Sequence, residues 1–140
     1  MYNTITTPDV AVCHLFLYCC FKDGQVKDEE LDNVSAKFTL LGMQKTLNFK
    51  DEMVSFRGYR ESITDEQAYL SHLLSCINPT NEAALLSYCA ELMLSDDLLD
   101  AREEALLANL AGLLSVTGEQ LGFISKLMIQ RKVVETQQFF

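Results

Sequence analysis

The sequence predicts an all-α protein, and we expect residues 1–140 to form one compact domain, a bundle of about seven helices. Apolar residues recur at the three- and four-residue spacing of helices along most of the chain, and no segment alternates with the period of two that marks a half-buried strand. Two prolines and six glycines are few for a loop-rich all-β fold. The apolar fraction of 49% is that of an ordinary globular domain, and a chain of this length can bury one core without disulfide or metal staples.

Three helices are predicted in the first half of the chain. Thr7 before Pro8 is an N-cap followed by proline at the first helical position, which begins the first helix. The apolar residues of this helix are spaced to form one face: Val12, Leu15, Phe16, Cys19 and Cys20. The second helix has an apolar face at Leu31, Val34, Phe38 and Leu41, and a short third helix has one at Phe49, Met53 and Phe56.

Four more helices are predicted in the second half. Their apolar faces are, in chain order, Leu70, Leu73, Leu74 and Ile77; Leu85, Tyr88, Cys89, Leu92 and Met93; Leu107, Ala111 and Leu114; and Leu121, Ile124 and Met128. Capping boxes at residues 64–67 (Thr-Asp-Glu-Gln) and 117–120 (Thr-Gly-Glu-Gln) indicate helix starts. The Asn-Pro-Thr segment at residues 78–80 ends one helix and precedes the next.

One acidic pattern occurs twice, at residues 23–30 (DGQVKDEE) and 96–103 (DDLLDARE). Each copy reads Asp, two residues, an aliphatic residue, three residues and Glu. Asp96 follows Asp23 by 73 residues, Glu103 follows Glu30 by the same interval, and the helices on either side recur at that interval too. Such a repeat predicts two copies of one helical hairpin packed against each other.

The acidic turns of these hairpins could hold a metal ion. An Asp at the end of one helix and a Glu in the first turn of the next both point towards the connecting loop, and Ca²⁺ or Mg²⁺ prefers oxygen ligands of that kind. The candidate metal ligands are Asp23, Glu30, Asp96 and Glu103. The alternative is that these residues only cap helices, since acidic residues at a helix start are favoured with no ion present.

Three details limit the cation hypothesis. Neither copy is an EF-hand, because Val34 and Leu107 stand at the twelfth position, where a bidentate Glu is required. Asp97 takes the place of Gly24, a position expected to need a positive φ. Lys27 takes the place of Asp100, the expected N-cap. If the helix after the first turn begins at Asp28, we expect Glu30 to fall at a different point of the first helical turn than Glu103, so that the two turns are not equivalent.

The repeated motif resembles that of the TerB-like domains, which are named after a tellurite-resistance protein and also occur at the amino terminus of a membrane-anchored DnaJ-like chaperone. The resemblance rests on the pattern of residues 23–30, the Leu-Leu-Gly-Met ending at residues 40–43, the second copy, and the Thr-Gly-Glu that opens the last helix at residue 117. It implies a bundle of about seven helices, acidic residues proposed to bind a divalent cation, and a role in bacterial stress response or near membranes. It implies no catalytic activity.

The residues themselves also give no indication of an enzyme. No G-x-S-x-G, phosphate-binding loop or H-E-x-x-H motif occurs. His14 and His72 each precede leucines on an apolar helix, which favours a structural role, and adjacent Cys13 and His14 diverge on a helix and cannot form a dyad. We therefore expect no catalytic residue and no cofactor other than a Ca²⁺ or Mg²⁺ ion.

Charge, apolar runs and cysteines restrict the partners and the compartment. A net charge of −9 repels phosphate backbones, so we expect no nucleic-acid partner. The most apolar stretch, residues 10–21, is shorter than the roughly 18 residues that cross a bilayer and has no signal-peptide pattern. Five cysteines without C-x-x-C indicate buried thiols and a cytoplasmic protein.

The basic residues between 37 and 60 favour a solvated helix face over a partner site: Lys37, Lys45, Lys50, Arg57 and Arg60.

Two functions from different classes follow. The first is a metal-responsive module whose acidic turns bind a divalent ion and set the conformation shown to another protein. The second is a plain interaction or scaffold domain without metal, which uses an apolar groove or the tail at residues 133–140, including Phe139 and Phe140. In both cases the expected partner is another protein, and a homo-oligomer stays open.

Overall fold

A computed structural model describes residues 2–22, 24, 28–43, 47–94, 100–137 and 140. The regular structure of these residues is helical throughout, with no strand. The α-helices are α1 (Pro8–Phe21), α2 (Asp28–Leu40), α3 (Phe49–Tyr59), α4 (Glu66–Ile77), α5 (Glu82–Met93), α6 (Ala101–Leu113) and α7 (Gly118–Gln137). Two short 3₁₀-helices cover Tyr2–Thr4 and Arg60–Ser62. The all-α class and the number of helices predicted from the sequence are confirmed.

Helix α1 is the central helix of the bundle. It contacts α2, α3, α4 and α5, and every residue from Cys13 to Phe21 is buried. The prediction of one apolar face on this helix is therefore wrong, because α1 is covered on all sides. A helix that is apolar around its whole circumference belongs in the middle of a core, and here His14 is the exception that needs polar partners.

The other helices lay their apolar faces on α1 and on each other. Helix α5 contacts α1, α6 and α7, while α4 contacts both α1 and α6. The largest fully buried side chains on these helices include Tyr69, Leu70, Leu73, Leu86, Leu106 and Leu110. Most of the predicted apolar faces are confirmed, although Leu41 is 40% exposed.

The end of α2 explains why Leu41 is outside the core. The helix closes with a Schellman motif, in which Met43 N–H donates to the Phe38 carbonyl at 2.9 Å and Gly42 N–H donates to the Thr39 carbonyl at 3.1 Å. Gly42 has a φ of +73°, which glycine adopts without the strain of a Cβ. The chain therefore turns at Leu41 before that side chain can join the apolar face.

Two helix starts were predicted from capping boxes, and one of them is different in the structure. Thr117 Oγ1 accepts from Gln120 N–H at 3.2 Å, and Gln120 Oε1 accepts from Thr117 N–H at 3.0 Å, which confirms that box. At α4, however, Asp65 is the N-cap and its Oδ1 accepts from Ala68 N–H at 3.0 Å. Thr64 is one residue too early because the helix begins at Glu66.

The cysteines and the membrane prediction can also be compared with the structure. Cys13, Cys19, Cys20 and Cys89 are free and buried, and Cys76 is free and half-buried. Burial raises the pKa of the Cys13 and Cys19 thiols, which keeps them protonated. No helix in the described ranges has the length and apolar character needed to cross a membrane.

Candidate cation site at the acidic turns

Two of the four predicted metal ligands are among the residues that the structure describes. Glu30 and Glu103 are described, whereas Asp23 and Asp96 lie outside the described residues. In the ranges that the structure describes, no group of three or more His, Cys, Asp or Glu side chains is arranged to hold a metal ion. That finding does not include the two aspartates, so the set of four carboxylates stays a prediction.

Glu30 and Glu103 occupy the same position in their helices. Helix α2 begins at Asp28 and α6 at Ala101, so each glutamate is the third residue of its helix. The expectation that Glu30 falls at a different point of the first turn is therefore wrong. Lys27, which replaces an aspartate in this copy, lies outside the described residues.

The ends of the two helices match as well. Both helices have 13 residues, and α6 closes with the hydrogen bonds seen at α2: Val116 N–H donates to the Ala111 carbonyl at 2.8 Å, and Ser115 N–H donates to the Gly112 carbonyl at 3.3 Å. Ser115, which has a φ of +58°, occupies the position after α6 that Gly42 occupies after α2. These matches agree with the interval of 73 residues, while the repeat of whole hairpins stays a prediction.

Both glutamates are buried, which is unusual for carboxylates. Glu30 is 4% exposed and Glu103 is 5% exposed, and His14 is the one other buried polar or charged residue in the described part of the chain. An ionised carboxylate that leaves water needs compensating positive charge or hydrogen bonds. The first turn of a helix supplies part of this compensation through its N–H groups and dipole.

At the second turn, the capping alternative is realised. Asp100 Oδ1 accepts from Glu103 N–H at 2.9 Å, and Glu103 Oε1 accepts from Asp100 N–H at 3.2 Å, which completes a capping box. The Glu103 N–H and then the nearby Arg102 lower the pKa of the Asp100 carboxyl. Capping and metal binding do not exclude each other, because a carboxylate has two oxygens and each can accept more than one contact.

The Arg102 side chain, from the start of α6, reaches Gly24 of the first acidic turn. A Cβ built on Gly24 would lie 3.9 Å from Arg102 Nη1, so the first turn contacts the start of α6. Gly24 has a φ of +84°, which confirms the predicted positive φ, and its N–H donates to the Phe21 carbonyl at 3.0 Å. Asp97, its counterpart, lies outside the described residues. Arg102 therefore places a positive charge beside Gly24 and Asp100.

A second polar cluster lies inside the bundle, at His14. His14 Nε2 lies 3.0 Å from Glu52 Oε1, and its Nδ1 lies 2.6 Å from the Tyr59 hydroxyl. The Tyr59 hydroxyl in turn lies 2.6 Å from that of Tyr69. Because an ionised carboxylate only accepts, Nε2 donates to Glu52, Nδ1 accepts from Tyr59, and Tyr59 accepts from Tyr69. Both ring nitrogens of His14 thus have partners within the fold, as a structural histidine requires.

Acid is expected to remove stability that depends on neutral His14. Burial lowers the pKa of the imidazole below its ordinary value of 6.5, although the hydrogen bond to Glu52 acts in the opposite direction. The unfolded chain therefore binds this proton more readily than the folded chain. The stabilisation is present above about pH 6.5 and is lost as the pH falls through the lower pKa of the folded state.

Urea unfolding measured from about pH 7.5 to about pH 5 checks this expectation. His14→Gln keeps a donor and an acceptor but cannot titrate, so its free energy of unfolding should fall less towards acid than that of the wild type. The comparison variant, His72→Gln, removes the histidine that lies outside the His14 cluster. Equal pH dependence in His14→Gln and the wild type would contradict the assignment.

Sequence patterns did not indicate that the half-buried Glu66 bonds to the central helix α1. Glu66 accepts from Tyr18 Oη at 2.5 Å and from Asn109 Nδ2 at 2.8 Å, and it pairs with Lys22. Burial raises the pKa of Glu66, but these donors together lower it below the ordinary value. Glu66 follows the Asp65 cap in the sequence, so only the packing of α1 and α6 on α4 reveals its role.

The predicted solvated face of basic residues is only partly described, since Lys45 lies outside the described residues. Lys37 Nζ lies 2.8 Å from Glu91 Oε1. Arg60 donates to the Phe21 carbonyl at 2.9 Å, and its guanidinium lies 4.8 Å from the centre of the Phe21 ring. These two side chains bind within the fold, so the interpretation as a purely solvated face is wrong for them.

Comparison with known protein families identifies the family of this chain. The chain matches a protein family described as tellurite resistance protein TerB over residues 9–126, well over half of its length. No curated protein and no solved structure matches the chain. The matched range contains both acidic turns and extends from α1 into α7. The chain therefore belongs to the TerB family.

Proposed function

We propose that this TerB-family protein is a non-enzymatic helical module that binds a divalent cation, Ca²⁺ or Mg²⁺, at its two acidic turns. The observation that carries the proposal is the burial of Glu30 and Glu103, the two predicted ligands that the structure describes. Both stand at the third position of their helices, and the Arg102 side chain beside Glu103 in sequence reaches Gly24 of the first turn. Asp23 and Asp96 complete the proposed set of oxygen ligands.

The cation would act by fixing the two hairpin turns relative to each other. A bound ion neutralises carboxylate charge at both turns and so stabilises their approach. We further propose that this state is recognised by another protein in a bacterial stress response. The matched family is described by tellurite resistance, which supports the stress-response part of this proposal. No step of the proposal requires a catalytic residue.

Calorimetric titration of the folded protein with Ca²⁺ and Mg²⁺ tests the proposal. We expect binding to the wild type and none to the double variant Asp23→Asn with Asp96→Asn, which keeps side-chain size but removes two ligand charges. A matched control, Asp32→Asn with Asp51→Asn, removes the same charge from exposed positions on α2 and α3 and should bind like the wild type. Absence of binding to the wild type, or equal loss in the control, would contradict a site at the turns.

Replacement of Arg102 is expected to change cation binding in the opposite direction. Its guanidinium lies beside Gly24 and 3.3 Å from Asp100 Oδ2, so it repels an ion that enters the same region. We expect Arg102→Gln to bind the cation more tightly than the wild type. Weaker binding by Arg102→Gln would show that the ion is held elsewhere.

The second candidate function is a protein-interaction domain without metal. Large apolar side chains are exposed along α7 and at residue 140, and they are Phe123, Leu127, Ile129, Val133 and Phe140. Phe139 lies outside the described residues. Exposed apolar surface of this kind suits a protein partner or a second copy of the chain. Calorimetry separates the two candidates, because this one predicts no heat of cation binding.

A further inference from the structure

A cavity of about 220 Å³ lies where α2, α5 and α7 meet. Asn33 and Lys37 line it from α2, Glu91 from α5, and Arg131 and Lys132 from α7. None of these residues belongs to the proposed cation site. The cavity therefore needs its own explanation.

The charges around the cavity differ in sign from the rest of the protein. The whole chain carries a net charge of −9. The cavity has three cationic residues, Lys37, Arg131 and Lys132, and two carboxylates, Glu91 and Glu135, which leaves one positive charge in excess. A site with this balance suits a ligand that carries a single negative charge.

The hydrogen bonds show that the basic side chains of the cavity can accept further anionic partners. Two of these side chains share one carboxylate oxygen, because Glu91 Oε1 lies 2.8 Å from Lys37 Nζ and 3.9 Å from Arg131 Nη2. Among the described residues, Arg131 Nη1 finds one hydrogen-bond acceptor, the weak acceptor Met128 Sδ at 3.6 Å. Lys132 forms no ion pair with any residue that the structure describes. An added oxyanion would therefore find donors from both α7 residues.

The inner wall of the cavity is apolar. Leu92, Leu94 and Met128 line it and are buried, so their side chains close the space beneath the charged rim. A purely polar anion such as phosphate would leave this wall in contact with water. A ligand with a short aliphatic portion would cover it and gain the free energy of burying apolar surface.

We infer that this cavity binds a small amphipathic monocarboxylate, with its carboxylate at Arg131 and Lys132 and its aliphatic portion against Leu92 and Met128. The arginine fork and the lysine ammonium both pair with carboxylate oxygens. One carboxylate also balances the positive charge in excess around the cavity. The site lies on α2, α5 and α7 and does not depend on a cation at the acidic turns.

Hexanoate is a suitable probe, because it joins one carboxylate to a short alkyl chain. Titration of the ¹⁵N-labelled protein, followed by amide chemical shifts, should show saturable changes at residues 33–37, 91–94 and 128–132. Hexanamide, the neutral counterpart, should cause no comparable change. Lys132→Gln should weaken hexanoate binding about tenfold, the cost of one charged hydrogen bond.

The matched control is Lys126→Gln, which removes an exposed lysine of α7 that does not line the cavity and should bind hexanoate like the wild type. Four results would overturn the inference: no saturable changes at these residues, equal binding of hexanamide, equal or tighter binding of inorganic phosphate, or equal weakening by Lys126→Gln. The amide spectrum of each variant reports its folding in the same experiment.

Discussion

Replacing Tyr69 by alanine is expected to lower the free energy of unfolding by about 3–5 kcal/mol, the range for deleting a large buried aromatic side chain. Tyr69 is fully buried on α4, and its ring lies 4.9 Å from that of Tyr2 and 5.0 Å from that of Tyr18. Alanine would leave a cavity where α4 packs on α1, and it would remove the donor to Tyr59. Urea unfolding measures the loss.

Two companion variants separate packing from hydrogen bonding. Tyr69→Phe keeps the ring and removes only the hydroxyl, so a loss of about 1 kcal/mol is expected while Tyr59 still donates to His14. Phe123→Ala deletes an aromatic ring that is 69% exposed on α7 and should change stability by no more than about 0.5 kcal/mol. If Tyr69→Ala cost no more than Phe123→Ala, the position of α4 in this fold would be wrong.

Cation binding is expected to give the second large effect. An ion that binds only the folded protein stabilises it by about 2.7 kcal/mol at about 100 times its dissociation constant. For a domain of this size, that raises the melting temperature by several degrees, at roughly 3 °C per kcal/mol. Thermal unfolding with and without Ca²⁺ or Mg²⁺ measures the rise. Asp23→Asn combined with Asp96→Asn should abolish it.

The capping alternative makes the opposite forecast for the same experiment. If the acidic residues only cap helices, then Ca²⁺, Mg²⁺, Mn²⁺ and Zn²⁺ will leave the melting temperature of the wild type unchanged. The Asn variants would then melt close to the wild type, since Asn is also a competent cap. The Asp100–Glu103 capping box makes this a real competitor at the second turn.

Helical periodicity and turn chemistry predicted much of the fold. The short-range signals were sufficient at Thr117, where the capping box forms, and at Gly24, where the positive φ was expected. They failed at α1 and Leu41. Spacing along the chain cannot show that four other helices surround α1, nor that the turn after α2 directs Leu41 to solvent.

The candidate site was predictable to a smaller extent. The repeat singled out Glu30 and Glu103, but their burial depends on long-range packing that no local pattern contains. The same applies to the approach of Gly24 to Arg102 and to the Glu52–His14–Tyr59 chain, whose members come from α1 and α3. Ion pairs such as Lys37–Glu91 join residues 54 positions apart, so the sequence gives no spacing signal for them.

Amide chemical shifts recorded during titration of ¹⁵N-labelled protein with Ca²⁺ or Mg²⁺ would locate the ion. A cation held by both acidic turns should shift Gly24, Glu30 and residues 100–103 together, with one common dissociation constant. Residues of the α3–α4 region, such as Asp51 and Asp65, should stay unchanged. Shifts confined to residues outside the two turns, or no saturable shifts at all, would contradict a cation site at the acidic turns.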